Sequence, residues 1–250
     1  MVRYELFKGI AAGLFIGIGC IIYLSCENPV IGALLFSIGL YAILTSNASL
    51  YTGKIGFALN KPPKYTAYMI PVWIGNFLGA GLVGLVISFT KIGPNIMQKA
   101  RTLVDNKLAD DPISILILSV FCGILMYVAA FSYDKFENNP SAMQLAGIVL
   151  PVTVFILCGF EHCVANMCYF VLAQEFTLRG LIYILLMTLG NTIGGIFIPM
   201  LIIMSGQLTH DHTIYKRVDL SKDDYKEQLD TIVEEITKIK EEEEKQKEDE

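Results

Sequence analysis

Charge is what this 250-residue sequence has least of. Asp, Glu, Lys and Arg make up 17% of it, against about 25% in an ordinary soluble domain. With 54% apolar residues beside so little charge, a soluble globular domain is excluded and an integral membrane protein is implied. The sequence also has no C-x-x-C pair and no His-spaced metal pattern. Of its six cysteines, Cys20, Cys122, Cys158, Cys163 and Cys168 lie in or beside apolar segments and Cys26 in a turn, so buried free thiols are expected and no metal site. No recognisable nucleophile or cofactor fingerprint accompanies them, and no cofactor is expected. The net charge of −5 belongs mostly to residues 219–250. It says little about partners of the apolar part and argues against nucleic acid.

What is there instead is long apolar runs. About 20 such residues suffice to cross a bilayer as a helix, and six windows qualify: roughly 8–25, 29–46, 65–90, 113–133, 142–173 and 180–205. The first, with Arg3 and Lys8 before it, could be a signal peptide. Five further spans and its own length favour a spanning helix. Six spans place both termini on one side. Arg3, Lys8, Lys54, Lys61, Lys64, Lys135, Lys216 and Arg217 assign that side to the cytoplasm by the positive-inside rule; the expected location is the plasma membrane.

Two of the spans are interrupted by polar residues. Gly159-Phe160-Glu161-His162-Cys163-Val164-Ala165-Asn166 sets an acid, an imidazole and a carboxamide between apolar runs. A charged group at the bilayer centre costs roughly 2.5–3.5 kcal/mol on insertion scales, so such a group is a functional site or part of a satisfied interior network. Earlier, Thr45 to Lys54 is small and polar, Ile55 to Leu59 is apolar again, and Asn60-Lys61-Pro62-Pro63-Lys64 closes the segment. Either span two ends at Thr45, or its helix is broken inside the bilayer, where irregular backbone survives only if buried in protein or lining a wet cavity.

The two interruptions form a repeat. Each is followed about 25 residues later by Gly-Asn-x-x-Gly-small, at 75–80 and 190–195. Three spans per half make the second half enter the membrane inverted, and inverted repeats with discontinuous helices are a signature of transport proteins. Both segments are therefore expected to be broken helices. Gly13 and Gly17 in the first span, and Gly75 and Gly79 in the third, offer small faces for close helix packing. Lys91 to Asp111 is expected to be the longest loop between spans, and Pro112 to open span four. The chain divides into a channel domain over 1–206 and an acidic, partly helical tail over 207–250. In the tail, Ser221-x-x-Asp224 resembles a capping box, and Leu229, Ile232, Ile236 and Ile239 recur as in a coiled-coil seam; a solvated amphipathic helix fits equally.

Leu50-Tyr51-Thr52-Gly53, Gly75-Asn76, Gly159-Phe160-Glu161-His162-Cys163-Val164-Ala165-Asn166-Met167 and Gly190-Asn191-x-x-Gly194-Gly195 resemble the signature segments of the formate/nitrite transporter family. The resemblance covers residues 1–206. It implies an all-α, aquaporin-like fold of six transmembrane helices with helices 2 and 5 broken, assembled as a homopentamer with one pore per protomer. It further implies transport of small monovalent weak-acid anions, formate first and nitrite, hydrosulfide, lactate or acetate as alternatives, coupled to protons. By motif, Thr52 and His162 are the central pore residues and Lys107 the vestibule lysine. Phe36, Leu40, Leu50, Tyr51 and Phe155 fall at the constrictions, with Tyr51 where Phe is usual. Glu161 is expected to hold loop amides or a lysine, and Asn76, Asn166 and Asn191 to satisfy broken-helix backbone. Two positions depart from the pattern: Lys107 needs an insertion to align, and Met126-Tyr127 replaces a usual Cys-Asn. A membrane enzyme using Glu161 and His162 as an acid–base pair leaves the mirrored break at Thr52 unexplained, and a scaffold or sensor signalling through the tail is the remaining alternative.

Overall fold

The structure, a computed structural model, describes residues 2–136 and 142–205. The readings of the tail, and the middle of the turn at 134–140, lie outside the described residues. All regular structure among those residues is helical. Helix α1 spans Val2–Ser25 and α2 Pro29–Thr45, a short α3 covers Tyr51–Lys54, and a 3-10 helix runs over Ile55–Asn60. Helix α4 is Pro63–Ser88, α5 Gly93–Ala109, α6 Pro112–Phe136, α7 Ala142–Leu157, α8 Cys163–Leu172 and α9 Leu178–Met204. Four of these, α1, α4, α6 and α9, are long and apolar enough to cross a membrane uninterrupted.

Helix starts follow the sequence closely. Asn28 accepts the amides of Val30 and Ile31 ahead of Pro29, so a short polar side chain and a preset φ open α2 together. Pro63 and Pro112 begin α4 and α6 for the same reason. Apolar residues are also exposed in number, Ile38, Ile70, Leu85, Ile117 and Leu181 among them, as suits a surface whose solvent is lipid or a neighbouring chain.

Both interruptions stop a helix in the same way. At the first, Asn47 takes a left-handed φ of 52°, its amide bonds to Leu44 O, and the Ala48 amide reaches back to Ile43 O. At the second, Gly159 takes φ 69°, its amide bonds to Ile156 O, and the Phe160 amide reaches Phe155 O. These are paired Schellman stops, which satisfy the last carbonyls of a helix within one turn. In each case a new helix begins three residues later, with Leu50 and His162 in the position before its first residue. Helical backbone stops at 46–50 and at 158–162, within the two polar stretches picked out in the sequence.

Residues 91–111 correct an expectation, because most of this stretch is helix α5 rather than loop. Pro94 stands in its first turn, and Ile96, Ala100 and Val104, spaced four apart, are buried. That stripe packs α5 against α8, with lesser contact to α1 and α4, while Lys99 and Arg101 bond the carbonyls of Leu24 and Ala173. High polarity on the outer face disguises an ordinary amphipathic helix.

Glycine brings the long helices together in two matching pairs. A Cβ added at Gly79 would run into Ile10 O, joining α4 to α1, and one at Gly194 into Val120 O, joining α9 to α6. Backbones this close leave no room for side chains, which is the packing small residues permit between apolar helices. The two pairs hold the broken units between them.

Candidate functional site

Two asparagines build the site by doing one job twice. Asn76 on α4 accepts the Tyr51 amide at 2.8 Å and donates to the carbonyls of Gly9 and Ser49, each at 2.9 Å. Asn191 on α9 accepts the Cys163 amide at 2.9 Å and donates to Ser119 O and Glu161 O, each at 2.8 Å. Each carboxamide uses all three of these bonds to pin the start of a half-helix to a long-helix pair. Buried backbone groups must be paired, and at a break only a side chain can pair them. The correspondence sets the register of the repeat: Tyr51 matches Cys163, and Leu50 matches His162.

Thr52 and His162 therefore do not occupy equivalent positions, yet they meet. Thr52 Oγ1 lies 2.8 Å from His162 Nε2, and both residues are buried. The direction of that bond follows from its neighbours. His162 Nδ1 accepts the Ala165 amide at 3.1 Å, so the neutral ring carries its proton on Nε2 and donates it to Thr52. Thr52 keeps its own hydroxyl proton, and its oxygen makes no second hydrogen bond among the described residues.

Apolar rings wall this pair. Phe155 stacks on the His162 ring at 5.5 Å between centroids and 19° between planes, and Phe36 meets Phe155 edge-on at 6.0 Å. Leu40 and Leu50 are buried in the same cluster. Tyr51 is half-buried, and its hydroxyl lies 2.8 Å from Thr192 Oγ1 on α9. Thr52, His162, Phe155 and Phe36 thus form one continuous run of side-chain contacts.

Lys107, near the end of α5, sits on Glu161 through both carboxylate oxygens, at 2.7 and 2.6 Å. Asn166 donates to Glu161 Oε2 and to His162 O, while its Oδ1 is buried with no hydrogen-bond partner among the described residues. The helix that the sequence reading missed is what carries Lys107 to this place. Met126 and Tyr127, at the position that departs from the family pattern, are buried. Of the cysteines, Cys20, Cys122, Cys163 and Cys168 are buried, Cys26 is partly so and Cys158 is exposed at the second break, against the expectation of burial. No group of His, Cys, Asp or Glu among the described residues has a metal-holding arrangement.

Three participants were not marked in the sequence. Ser49 Oγ donates to Glu5 Oε2 at 2.8 Å, and Lys54 Nζ lies 3.8 Å from the same oxygen. Thr192 stands in an unspecified place of the Gly-Asn-x-x-Gly pattern. Glu5 had a signal, as the one acid ahead of the first apolar run.

Regular structure among the described residues is all helical, with four helices long and apolar enough to cross a membrane, as in a multi-pass membrane protein. The formate/nitrite transporter profile matches residues 2–205, and the chain belongs to that family. Family members are transporters, so this protein is not an enzyme. Nitrite transporter NirC of Salmonella typhimurium is 26% identical over 211 residues, covering 74% of this chain and 76% of that protein. Formate channel FocA of Escherichia coli is 27% identical over 187 residues, 64% of this chain and 63% of that protein. Among solved structures, a pentameric formate channel with formate bound has a TM-score of 0.65 at 21% identity, over 82% of this chain and 98% of that one.

Proposed function

We propose that this protein conducts small monovalent weak-acid anions, formate foremost, across the plasma membrane as a homopentamer with cytoplasmic termini, and that the molecule crosses the apolar centre as its neutral acid. The observation that carries the reading is the Thr52–His162 bond at 2.8 Å inside an apolar wall. A bare anion passing Phe36, Leu40, Leu50 and Phe155 must shed its water, and burying an unpaired charge costs far more than burying a hydrogen-bonded neutral group. Protonation removes most of that cost. The Thr52 hydroxyl proton then serves as a donor to the acid's carbonyl oxygen beside His162.

His162 acts as a fixed neutral support. Adding a proton at Nδ1 requires breaking the Ala165 cap, and donating the one on Nε2 leaves an imidazolate. Neither suits a proton carrier, so the transported proton comes from water on the approach to the centre. Lys107 sits on that approach. Two of its three ammonium donors are taken by Glu161, and the third remains for the arriving anion. The sequence likeness to FocA supports formate, and the likeness to NirC supports nitrite as a competitor for the same passage.

The test is radiolabelled formate uptake into proteoliposomes across external pH, with His162→Asn and Thr52→Ala beside wild type. Uptake is expected to rise with acidity in wild type, and both variants are expected to lower it by about tenfold, near the worth of one good buried hydrogen bond. Flux that is independent of pH sinks the neutral-acid route. Formate that never moves while nitrite does replaces the substrate and keeps the site.

A further inference from the structure

Tyr51 carries a polar group that the proposed passage does not yet use, one residue from Thr52. Its ring is the one partly buried side chain among the described residues that packs on both apolar clusters, the main core and the small group of Ile55, Met69 and Val72. Its hydroxyl lies 2.8 Å from Thr192 Oγ1. Either oxygen could donate in isolation, but the next bond decides. Thr192 Oγ1 is 2.7 Å from Thr188 O, and a threonine has a single hydroxyl proton, which that carbonyl takes. Tyr51 must therefore be the donor.

A second clasp lies one turn away on the same helix. Trp73 Nε1 donates to Thr188 Oγ1 at 3.0 Å, and Thr188 passes its proton to Ile184 O at 2.8 Å. Two aromatic donors from the first half of the chain, Tyr51 on α3 and Trp73 on α4, are thus anchored on two threonines of α9. The anchoring spends the phenol proton. What the Tyr51 oxygen retains is lone pairs.

We propose that Tyr51, oriented by Thr192, is a specificity-determining hydrogen-bond acceptor that admits a protonated weak acid and turns back its anion. The inference rests on the transport reading above. An acid hydroxyl donates to the phenol oxygen, whereas a carboxylate has nothing to donate and meets lone pairs alone. In this reading Thr52 supplies a donor for the carbonyl of a neutral carboxylic acid and Tyr51 an acceptor for its hydroxyl. Thr192 is a positioning residue, acting only through Tyr51.

The experiment compares wild type, Thr192→Val, Thr192→Ser and Tyr51→Phe in proteoliposomes, reading formate uptake against pH and the formate-driven membrane potential. Thr192→Val keeps the shape and releases the phenol proton, so the electrogenic share of formate flux is expected to rise about fivefold, the weight of one hydrogen bond, and the pH profile to flatten. Thr192→Ser keeps the hydroxyl and restores wild-type behaviour. Tyr51→Phe, the residue usual in the family, lowers uptake at acid pH with no gain in electrogenic flux. Identical pH profiles and electrogenic shares in wild type and Thr192→Val overturn the inference while leaving transport intact, as does a Thr192→Ser that behaves like Thr192→Val. A wild type that moves no weak acid sinks both readings.

Discussion

The breaks at residues 46–50 and 158–162 share their backbone construction and differ in nearly every side chain that meets the centre. Each has a left-handed residue three positions before the cap, a Schellman stop, and an asparagine from a long helix on the first amide of the new one. Beyond that, the first break starts its helix with Leu50, which makes no side-chain cap, and continues for four residues. The second starts with His162, whose ring caps α8, and continues for ten. A symmetric scaffold is thus used to place unlike groups, an aliphatic chain and a hydroxyl from one side and an imidazole from the other. The lesson is that backbone satisfaction sets where the helices break, and the site is written on top of it.

Removing the shared clamps should have the largest effect. Asn76→Leu strips a partner from the Tyr51 amide and the Ser49 carbonyl, and Asn191→Leu from the Cys163 amide and the Glu161 carbonyl, at roughly 1–3 kcal/mol for each buried group. Both variants should lose thermal stability in detergent by similar amounts; a large loss in one alone breaks the equivalence of the two halves. The ion pairs should come next and behave unequally. Glu161→Ala strands Lys107, whose side chain is 16% exposed, and should cost about 3–5 kcal/mol. Glu5→Ala releases Lys54 at a looser and more open pair, 3.8 Å apart, and should cost at most about 1 kcal/mol. Equal losses would remove this asymmetry between the two sides.

Smaller effects probe the stops and the caps. Gly159→Ala forces a side chain into φ 69° and should cost about 1–2 kcal/mol. The reciprocal Asn47→Gly should change stability by only a few tenths of a kcal/mol, since asparagine already tolerates that region. His162→Leu gives the second break the cap residue of the first. Its stability cost should be about 1 kcal/mol, the worth of one cap, while uptake of formate should be lost. Retained uptake would falsify the assignment of the imidazole to the site.

How much of this was legible depended on the kind of signal. The apolar runs and their polar interruptions announce themselves through hydropathy, because polar residues inside apolar runs demand an explanation wherever they fall. Glu161, His162, Thr52 and the two Gly-Asn pairs were visible for that reason. Helix α5 was not, because its buried stripe of Ile96, Ala100 and Val104 is thin against a polar background. Thr192 and Ser49 were hidden by their ordinariness, as hydroxyls inside helical or turn segments usually bond their own backbone.

By itself the sequence determined that the chain is apolar enough for a membrane and where polar residues interrupt its apolar runs. Apolar length and the cost of polar groups in lipid are properties of composition and order. Only the tertiary structure decided that Leu50 rather than Thr52 is the counterpart of His162, that Lys107 lies on Glu161, and that the imidazole donates to Thr52 while Tyr51 donates to Thr192. Those facts are directions of hydrogen bonds between residues up to 141 positions apart. Each is fixed by what the next atom already accepts, and that is settled when the helices pack.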